Sequence, residues 1–489
     1  MPMPLFSQLA RRYNPVSAAE RRRFLQTSLA VGAASLLSNQ SFGAPAKQRR
    51  VVVIGAGFAG LACAYELKAA GYKVTLIEAR GRVGGRVLSF QDFIEGKNVE
   101  GGAELIGSNH PTWVAYAEKF GLKFLDVSED EDLNFAVHVD GKLLDYEEAG
   151  KLYEEMDAAT ATLDEPAAAV DAEEPWKSPN AAELDKQNLA TWIANSKASD
   201  LAKKIMSVQI SSDNAVANEK ASLLGMLATI KGGGLEKYWT DSEVYRCAGG
   251  NQQLAFKLAE GIGAENIRLK LAVESVTYDT EGAKVTCVDG RTLECDDIVL
   301  AIPPSTWPKI AFNPGLPENL KLQMGTATKY LTAVKSRFWL EEKVSQYSLT
   351  DGPISQTWEL TDAQPNDPTT AGLIAFSGGP SAELCLKFKK EERDAKYAAE
   401  FAKVYPKFGE NFIKSRMMDW PNDPFTNGGY SFPAPGQITS VGPTIYKGLG
   451  RLHFCGEHTS YKFVGYMEGG LNSGVALANR IAKRDGVAM

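Results

Sequence analysis

The chain has 489 residues, 44% of them hydrophobic and 23% charged, an ordinary globular composition too long for one simple core, so two interleaved domains are expected. A formal net charge of −7 excludes the basic footprint of a nucleic-acid binder, and no run reaches the roughly eighteen apolar residues of a membrane span. Six scattered cysteines (Cys63, Cys247, Cys287, Cys295, Cys385, Cys455) and four histidines show no metal-ligand spacing, so no metal site is expected and a bound cofactor must carry demanding chemistry.

Residues 1–47 read apart from the rest. Arg21-Arg22-Arg23-Phe24-Leu25-Gln26 precedes a mildly apolar stretch, Thr27 to Leu37, and then Ser41-Phe42-Gly43-Ala44-Pro45-Ala46. The pattern resembles a bacterial twin-arginine export signal with a small-residue cleavage site, which implies a periplasmic or secreted protein. A disordered arm or an amphipathic helix is the alternative.

Arg50-Val51-Val52-Val53-Ile54 predicts a buried strand that runs into Gly55-Ala56-Gly57-Phe58-Ala59-Gly60 and a helical pattern from Leu61 to Leu67. A second strand, Lys73 to Ile77, ends on Glu78, 18 residues past Gly60. The three glycines serve a tight turn, close approach of backbone to a pyrophosphate, and close helix–strand packing. Free N–H groups at the helix start, around Phe58 and Ala59, face the phosphates, and Glu78 accepts from the adenosine ribose. The continuation Glu78-Ala79-Arg80-Gly81-Arg82-Val83-Gly84-Gly85-Arg86 separates FAD from a nicotinamide cofactor. Its glycines let backbone pass close to the phosphates, and Arg86 offers them a fork of donors.

The middle of the chain is less specific. An acidic, alanine-rich stretch from Glu147 to Glu183 reads as a solvated helical face. Near the far end, a strand finishing in Leu452-His453-Phe454-Cys455-Gly456-Glu457 precedes Gly465-Tyr466-Met467-Glu468-Gly469-Gly470, which opens an amphipathic helix through Ala476, Leu477 and Ile481. Glu457 is placed to bind a ribityl chain. Backbone N–H groups around Gly465, Tyr466 and Met467 are placed to face the flavin's pyrimidine oxygen, where negative charge collects on reduction.

Together the two ends resemble the flavin amine oxidase superfamily, which includes monoamine, polyamine and L-amino acid oxidases, over most of residues 48–486. Landmarks between them agree: Tyr245-Arg246-Cys247-Ala248-Gly249-Gly250, Val273 in a strand toward the adenine, Asp297 to Pro304, and Gly325-Thr326-Ala327-Thr328-Lys329 followed by Phe338-Trp339. The resemblance implies that Lys329 holds a water against flavin N5. It also implies an aromatic cage with Tyr466 as one wall and Tyr430 or Phe432 as the other. Tyr430, after Gly428-Gly429, stands where monoamine oxidases carry the cysteine joined to the flavin, so FAD is expected without a covalent bond.

The stretch Val99 to Trp113, which places Gly102, Ala103 and Glu104 beside the cofactor, is with Phe454 to Ser460 most similar to bacterial and fungal L-amino acid oxidases. Two departures stand against that similarity. Leu105 occupies the place of the arginine that anchors the substrate carboxylate in snake-venom-type enzymes, and Phe376 the place of their tyrosine hydroxyl. Another arginine, such as Arg337, would have to serve. Glu104 either faces the substrate side chain or satisfies backbone donors.

The expected fold is α/β: a Rossmann-type FAD-binding domain (48–107, 240–310 and 420–486) interleaved with a mixed-sheet substrate domain (311–419) and a helical insertion (108–239). The expected reaction is FAD-dependent oxidation of an L-amino acid to the imino acid, then keto acid and ammonium, with dioxygen reduced to hydrogen peroxide. A monoamine or polyamine oxidase is the first alternative; a flavin desaturase, an isomerase or a non-catalytic flavoprotein is the second. The expected partners are a small amino acid or amine and dioxygen, with no nucleic acid and no membrane span; a homo-oligomer is left open.

Overall fold

A computed structural model describes residues 48–127, 133–364 and 370–487; the export-signal pattern at 1–47 lies outside the described residues. At the base of the structure is a five-stranded parallel sheet in the order Leu452–Phe454, Asp297–Leu300, Arg50–Ile54, Lys73–Ile77, Ile267–Arg268. Arg50–Ile54 is buried on both faces after its first residue, as expected of a central parallel strand covered by helices. Gly55 then turns the chain at φ +106°, where a Cβ would meet the Ala301 carbonyl oxygen at 2.6 Å. The helix Phe58–Ala69 packs so tightly on this turn that a Cβ on Gly60 would lie 1.9 Å from the Gly55 oxygen. The α/β, dinucleotide-binding reading of the N-terminus is therefore the observed fold.

The C-terminal helix Met467–Arg484 lies across Phe58–Ala69, and Gly474 makes the approach feasible: a Cβ there would sit 2.3 Å from the Ala59 oxygen. A four-stranded sheet (Thr292–Cys295, Ala283–Cys287, Val273–Tyr278, Ala311–Asn313) flanks the adenine side. The segment expected to form a substrate domain contributes most of a seven-stranded mixed sheet ordered Phe412–Met418, Ala327–Val334, Ala371–Gly378, Gln356–Glu359, Val344–Thr350, Asn134–Val139, Lys142–Leu143. The last two of these strands come from 108–239, so that segment is not purely helical. It supplies an edge of this sheet as well as the helices Tyr146–Thr160, Asp200–Asp213 and Leu223–Gly233. The acidic stretch is partly the solvated face it resembles, with Glu147, Glu154 and Asp157 exposed against buried Leu152, Tyr153 and Met156. Among the described residues no helix is long and apolar enough to cross a membrane.

One polar knot ties distant pieces of the nucleotide domain. Asp297, fully buried, accepts two 2.7 Å hydrogen bonds from Arg484 and lies 2.9 Å from His453 Nε2. Burial alone would raise its pKa, but Arg484 and His453 overcome that and hold the carboxyl at about 2. A carboxyl depressed on folding stabilises the fold above its ordinary pKa near 4 and loses that contribution as pH falls toward 2. Asp297→Asn is expected to cost about 2–3 kcal/mol at neutral pH, with the difference from the parent shrinking by pH 2–3. Thermal melts followed by circular dichroism at pH 7 and pH 3 check this; an equal gap at both pH values would refute it.

Candidate active site

A cavity of about 320 Å³ runs from the nucleotide turn to the seven-stranded sheet. Its wall contains the residues singled out from the sequence as cofactor-binding or catalytic except Gly60, which packs helix on strand instead, and the alternatives Phe432 and Arg337.

At the nucleotide end, Glu78 is buried and accepts from the N–H groups of Ala56 (2.8 Å) and Arg80 (2.7 Å), which fixes its carboxylate at the cavity wall. Gly57 caps the helix Phe58–Ala69 with no side-chain cap and no acid in the first turn, so the helix N-terminus keeps its donors and its positive end for a ligand. A Cβ built on Gly57 meets no protein atom within 4 Å, and Gly85 (φ +59°) crosses close enough that its own Cβ would lie 3.1 Å from the Gly57 Cα. These are the open space and bare backbone that a pyrophosphate fills. Arg80 forms a bidentate ion pair with Asp423, one arm at 2.9 Å, and lies over the Phe425 ring at 5.2 Å, closing this end. Val273 lines the same end from its strand.

Arg86 differs from its expected role as a phosphate fork. Its Nη1 donates to Glu457 Oε1 and to the Gly429 carbonyl oxygen, both at 2.9 Å. Glu457 also accepts from Ser431 Oγ (2.6 Å) and the N–H of Gly465 (2.9 Å). Burial would raise its pKa, but Arg86, His458 and Ser431 hold it below the ordinary carboxylate value. A fixed anion thus stands where the ribityl hydroxyls of a flavin can donate. Tyr466 precedes the helix Met467–Arg484 with no side-chain cap, so N–H groups near Met467 are available at the wall. The buried His458 ring, with neither nitrogen hydrogen-bonded to protein, is a further orphan polar group on this wall. The donor set, the open glycine face and the orphaned polar atoms fit FAD.

At the substrate end, Lys329 Nζ donates to Glu104 Oε2 at 2.6 Å, and Arg246 Nη2 lies 2.7 Å from Glu104 Oε1. Neither alternative read from the sequence describes Glu104. It bridges two buried cations, because a carboxylate this deep requires charged partners. Burial would raise its pKa, but Lys329 and Arg246 pull it below the ordinary range. Arg246 is completed by Asp362 and by the Glu359 carbonyl oxygen at 2.6 Å. Lys329 also sits 5.4 Å from the Trp358 ring centroid.

Tyr430 and Tyr466 both line the cavity, whereas Phe432 is packed in the core of the helical part and is not a wall of the site. Leu105 and Phe376 line it too. Arg337 does not: its guanidinium is bound to Glu359 at 2.9 Å, outside the lining, so it is no carboxylate anchor. Sequence reasoning missed Arg246 as Glu104's partner and missed two acids, Asp213 and Glu243, in the wall. Burial pushes the pKa of Asp213 up to about 7, and burial together with the nearby Asp213 pushes that of Glu243 up to about 8.

Fold and cavity define an FAD-dependent oxidoreductase of the α/β class. The chain belongs to the family of flavin-containing amine oxidoreductases, which matches residues 58–482. It is similar to a probable flavin-containing monoamine oxidase A of Dictyostelium discoideum, 25% identical over 88% of this chain and 97% of the relative. It is similar also to a flavin-containing amine oxidase of Danio rerio, 28% identical over 87% and 84%. Among solved structures, cyclohexylamine oxidase from Brevibacterium oxydans superposes with a TM-score of 0.80 at 26% identity, covering 90% of this chain and 99% of that one. Putrescine oxidase bound to putrescine shares the fold, with a TM-score of 0.80 at 24% identity over 90% and 100%.

No cysteine lines the cavity, so acid precipitation is expected to release the yellow colour into the supernatant. Colour retained in the pellet would mean a covalent bond. Gly57→Ala introduces a methyl group into open space, so the variant is expected to fold but purify as mostly apoprotein; full flavin occupancy would show that no phosphate sits there. The flavin-to-protein absorbance ratio, with circular dichroism as the control for folding, decides it.

Proposed function

We propose that the chain oxidises a primary amine, rather than an amino acid, to the imine, with dioxygen reduced to hydrogen peroxide and the imine hydrolysing to aldehyde and ammonia. The observation that carries this reading is the charge of the substrate end. Its acids, Asp213 and Glu243, have no salt bridge among the described residues, while the lining arginines, Arg80 and Arg86, are paired to Asp423 and Glu457. A substrate carboxylate would find no unpaired arginine there to bind it, whereas an amine would meet carboxyl groups able to accept from it. The amine-oxidising relatives support the same reading.

FAD supplies the two-electron oxidation when bound; the residues supply position, dryness and charge. Tyr430, Tyr466, Phe376 and Trp358 form an apolar enclosure that favours the neutral amine, the form with a free nitrogen lone pair, and excludes water. Lys329, held in place by Glu104, presents a fixed positive charge to the reacting region through its ammonium or an ordered water.

Peroxide release should be measured on primary amines and on the corresponding L-amino acids. Amines are expected to be oxidised at least a hundredfold more efficiently; the reverse preference would overturn the reading. Lys329→Met is expected to slow reoxidation of reduced enzyme by about two to three decades, as loss of about 3–4 kcal/mol of charge stabilisation would, while anaerobic reduction by the amine changes less. Stopped-flow measurement of the two half-reactions separates them, and an unchanged oxidative rate would remove Lys329 from the chemistry.

A further inference from the structure

We propose that His110 is a positioning residue for Tyr466: from behind the cavity wall it fixes the orientation in which that ring meets an amine, deepening the amine-oxidase reading on which it rests. Tyr466 lines the cavity, whereas His110 does not. The two rings meet edge to face, with centroids 5.2 Å apart and planes at 69°. A second edge-to-face contact, at 5.6 Å and 82°, joins His110 to Phe463, whose carbonyl oxygen accepts from the Tyr466 N–H at 3.2 Å. The imidazole therefore touches both aromatic rings of the short turn that delivers Tyr466 to the wall.

The state of the ring follows from its partners. The Gly107 N–H donates to His110 Nδ1 at 2.8 Å, so that nitrogen carries no proton. Burial pushes the pKa of the ring down to about 3, which leaves it neutral with its proton on Nε2. That N–H finds no acceptor among the described residues, on a side chain only 1% exposed. The Tyr466 hydroxyl faces that of Tyr238 and likewise lacks a well-formed hydrogen bond. An apolar ring would fill the place of His110 without stranding a donor, so a mere packing role does not account for the imidazole.

His110 is itself held from two sides. Asn109 Nδ2 donates to the Gly233 carbonyl oxygen and to Ser242 Oγ, both at 2.8 Å. Glu468, two residues past Tyr466, accepts from the N–H groups of Thr112 at 3.0 Å and Trp113 at 2.9 Å. The turn before the helix Pro111–Phe120 and the start of the helix Met467–Arg484 are thus locked in one register, and that register sets His110 against Tyr466. A wall ring that cannot rotate presents the amine to the reacting region in one orientation, and a small misplacement there is costly in rate.

The test is a double-mutant cycle on the holoenzyme. His110→Asn keeps an acceptor for the Gly107 N–H while removing the ring and its Nε2–H. Anaerobic flavin reduction by a primary amine is expected to slow about tenfold or more, while reoxidation by dioxygen stays within about twofold of the parent. Affinity for 2-phenylpropan-2-amine, which has no α-hydrogen to lose, is read from the flavin absorbance shift and is expected to weaken. In a Tyr466→Ala background the same substitution is expected to leave both readings nearly unchanged, because no ring remains to be positioned. Equal losses in the two backgrounds would overturn the proposal, as would a parent background in which neither reading moves. Should His110→Asn lose its flavin, His110→Leu carries the same cycle with the same deciding outcomes. Absence of turnover with every amine would instead fail the amine-oxidase reading, and this inference with it.

Discussion

The buried carboxylate of Glu104, bridged between Lys329 and Arg246, is the constraint on which the arrangement of this site depends. It comes from the loop that also carries Gly102 and Ala103 beside the cofactor cavity, while Lys329 comes from the strand Ala327–Val334 of the seven-stranded sheet and Arg246 from the short strand Tyr245–Cys247. Three regions remote in sequence are thus held by one side chain. Removing a partner from such a cluster leaves a charge stranded away from water, typically at a cost of about 3–5 kcal/mol. The fixed geometry also means that the ammonium of Lys329 needs little reorganisation when charge develops nearby.

The helix Met467–Arg484 extends this rigidity to the cofactor. Its N-terminus opens on the cavity, Glu468 in its first turn accepts from the backbone N–H groups of Thr112 and Trp113, and its last residue is bound to Asp297. Each end is therefore fastened to a different part of the chain. A helix used as a fixed dipole works best when it cannot tilt away from the charge it serves.

The sequence made some of this legible and hid the rest for physical reasons. The turn Gly55 to Gly60 and the acid at Glu78 are readable because a strand, a turn and a helix succeed one another locally, and their spacing follows from the pyrophosphate they face. The C-terminal motif is readable for the same reason. Glu104 was misread because its meaning lies in partners 142 and 225 residues away, and nothing local distinguishes a bridging carboxylate from one that faces substrate. Asp213 is an ordinary acid at the end of an amphipathic helix until folding brings that end to the cavity. The strands Asn134–Val139 and Lys142–Leu143 stand beside acidic helices, and only pairing with Val344–Thr350 gives them a sheet to join. Phe432 illustrates the opposite error: an aromatic two residues from a wall of the cage faces the core instead.

The clasp of Arg80 on Asp423 bears on how tightly a cofactor is retained. This ion pair, with the Arg80–Thr426 hydrogen bond at 3.0 Å and the Phe425 ring beneath the guanidinium, joins the segment after Glu78 to the chain near 425 at the nucleotide end of the cavity. A dinucleotide held at this end of the cavity would leave more readily when that joint opens. Its residence time is then governed by the frequency of a local opening in the protein as much as by its own contacts, so the fold can hold FAD through many turnovers even where the equilibrium affinity is modest.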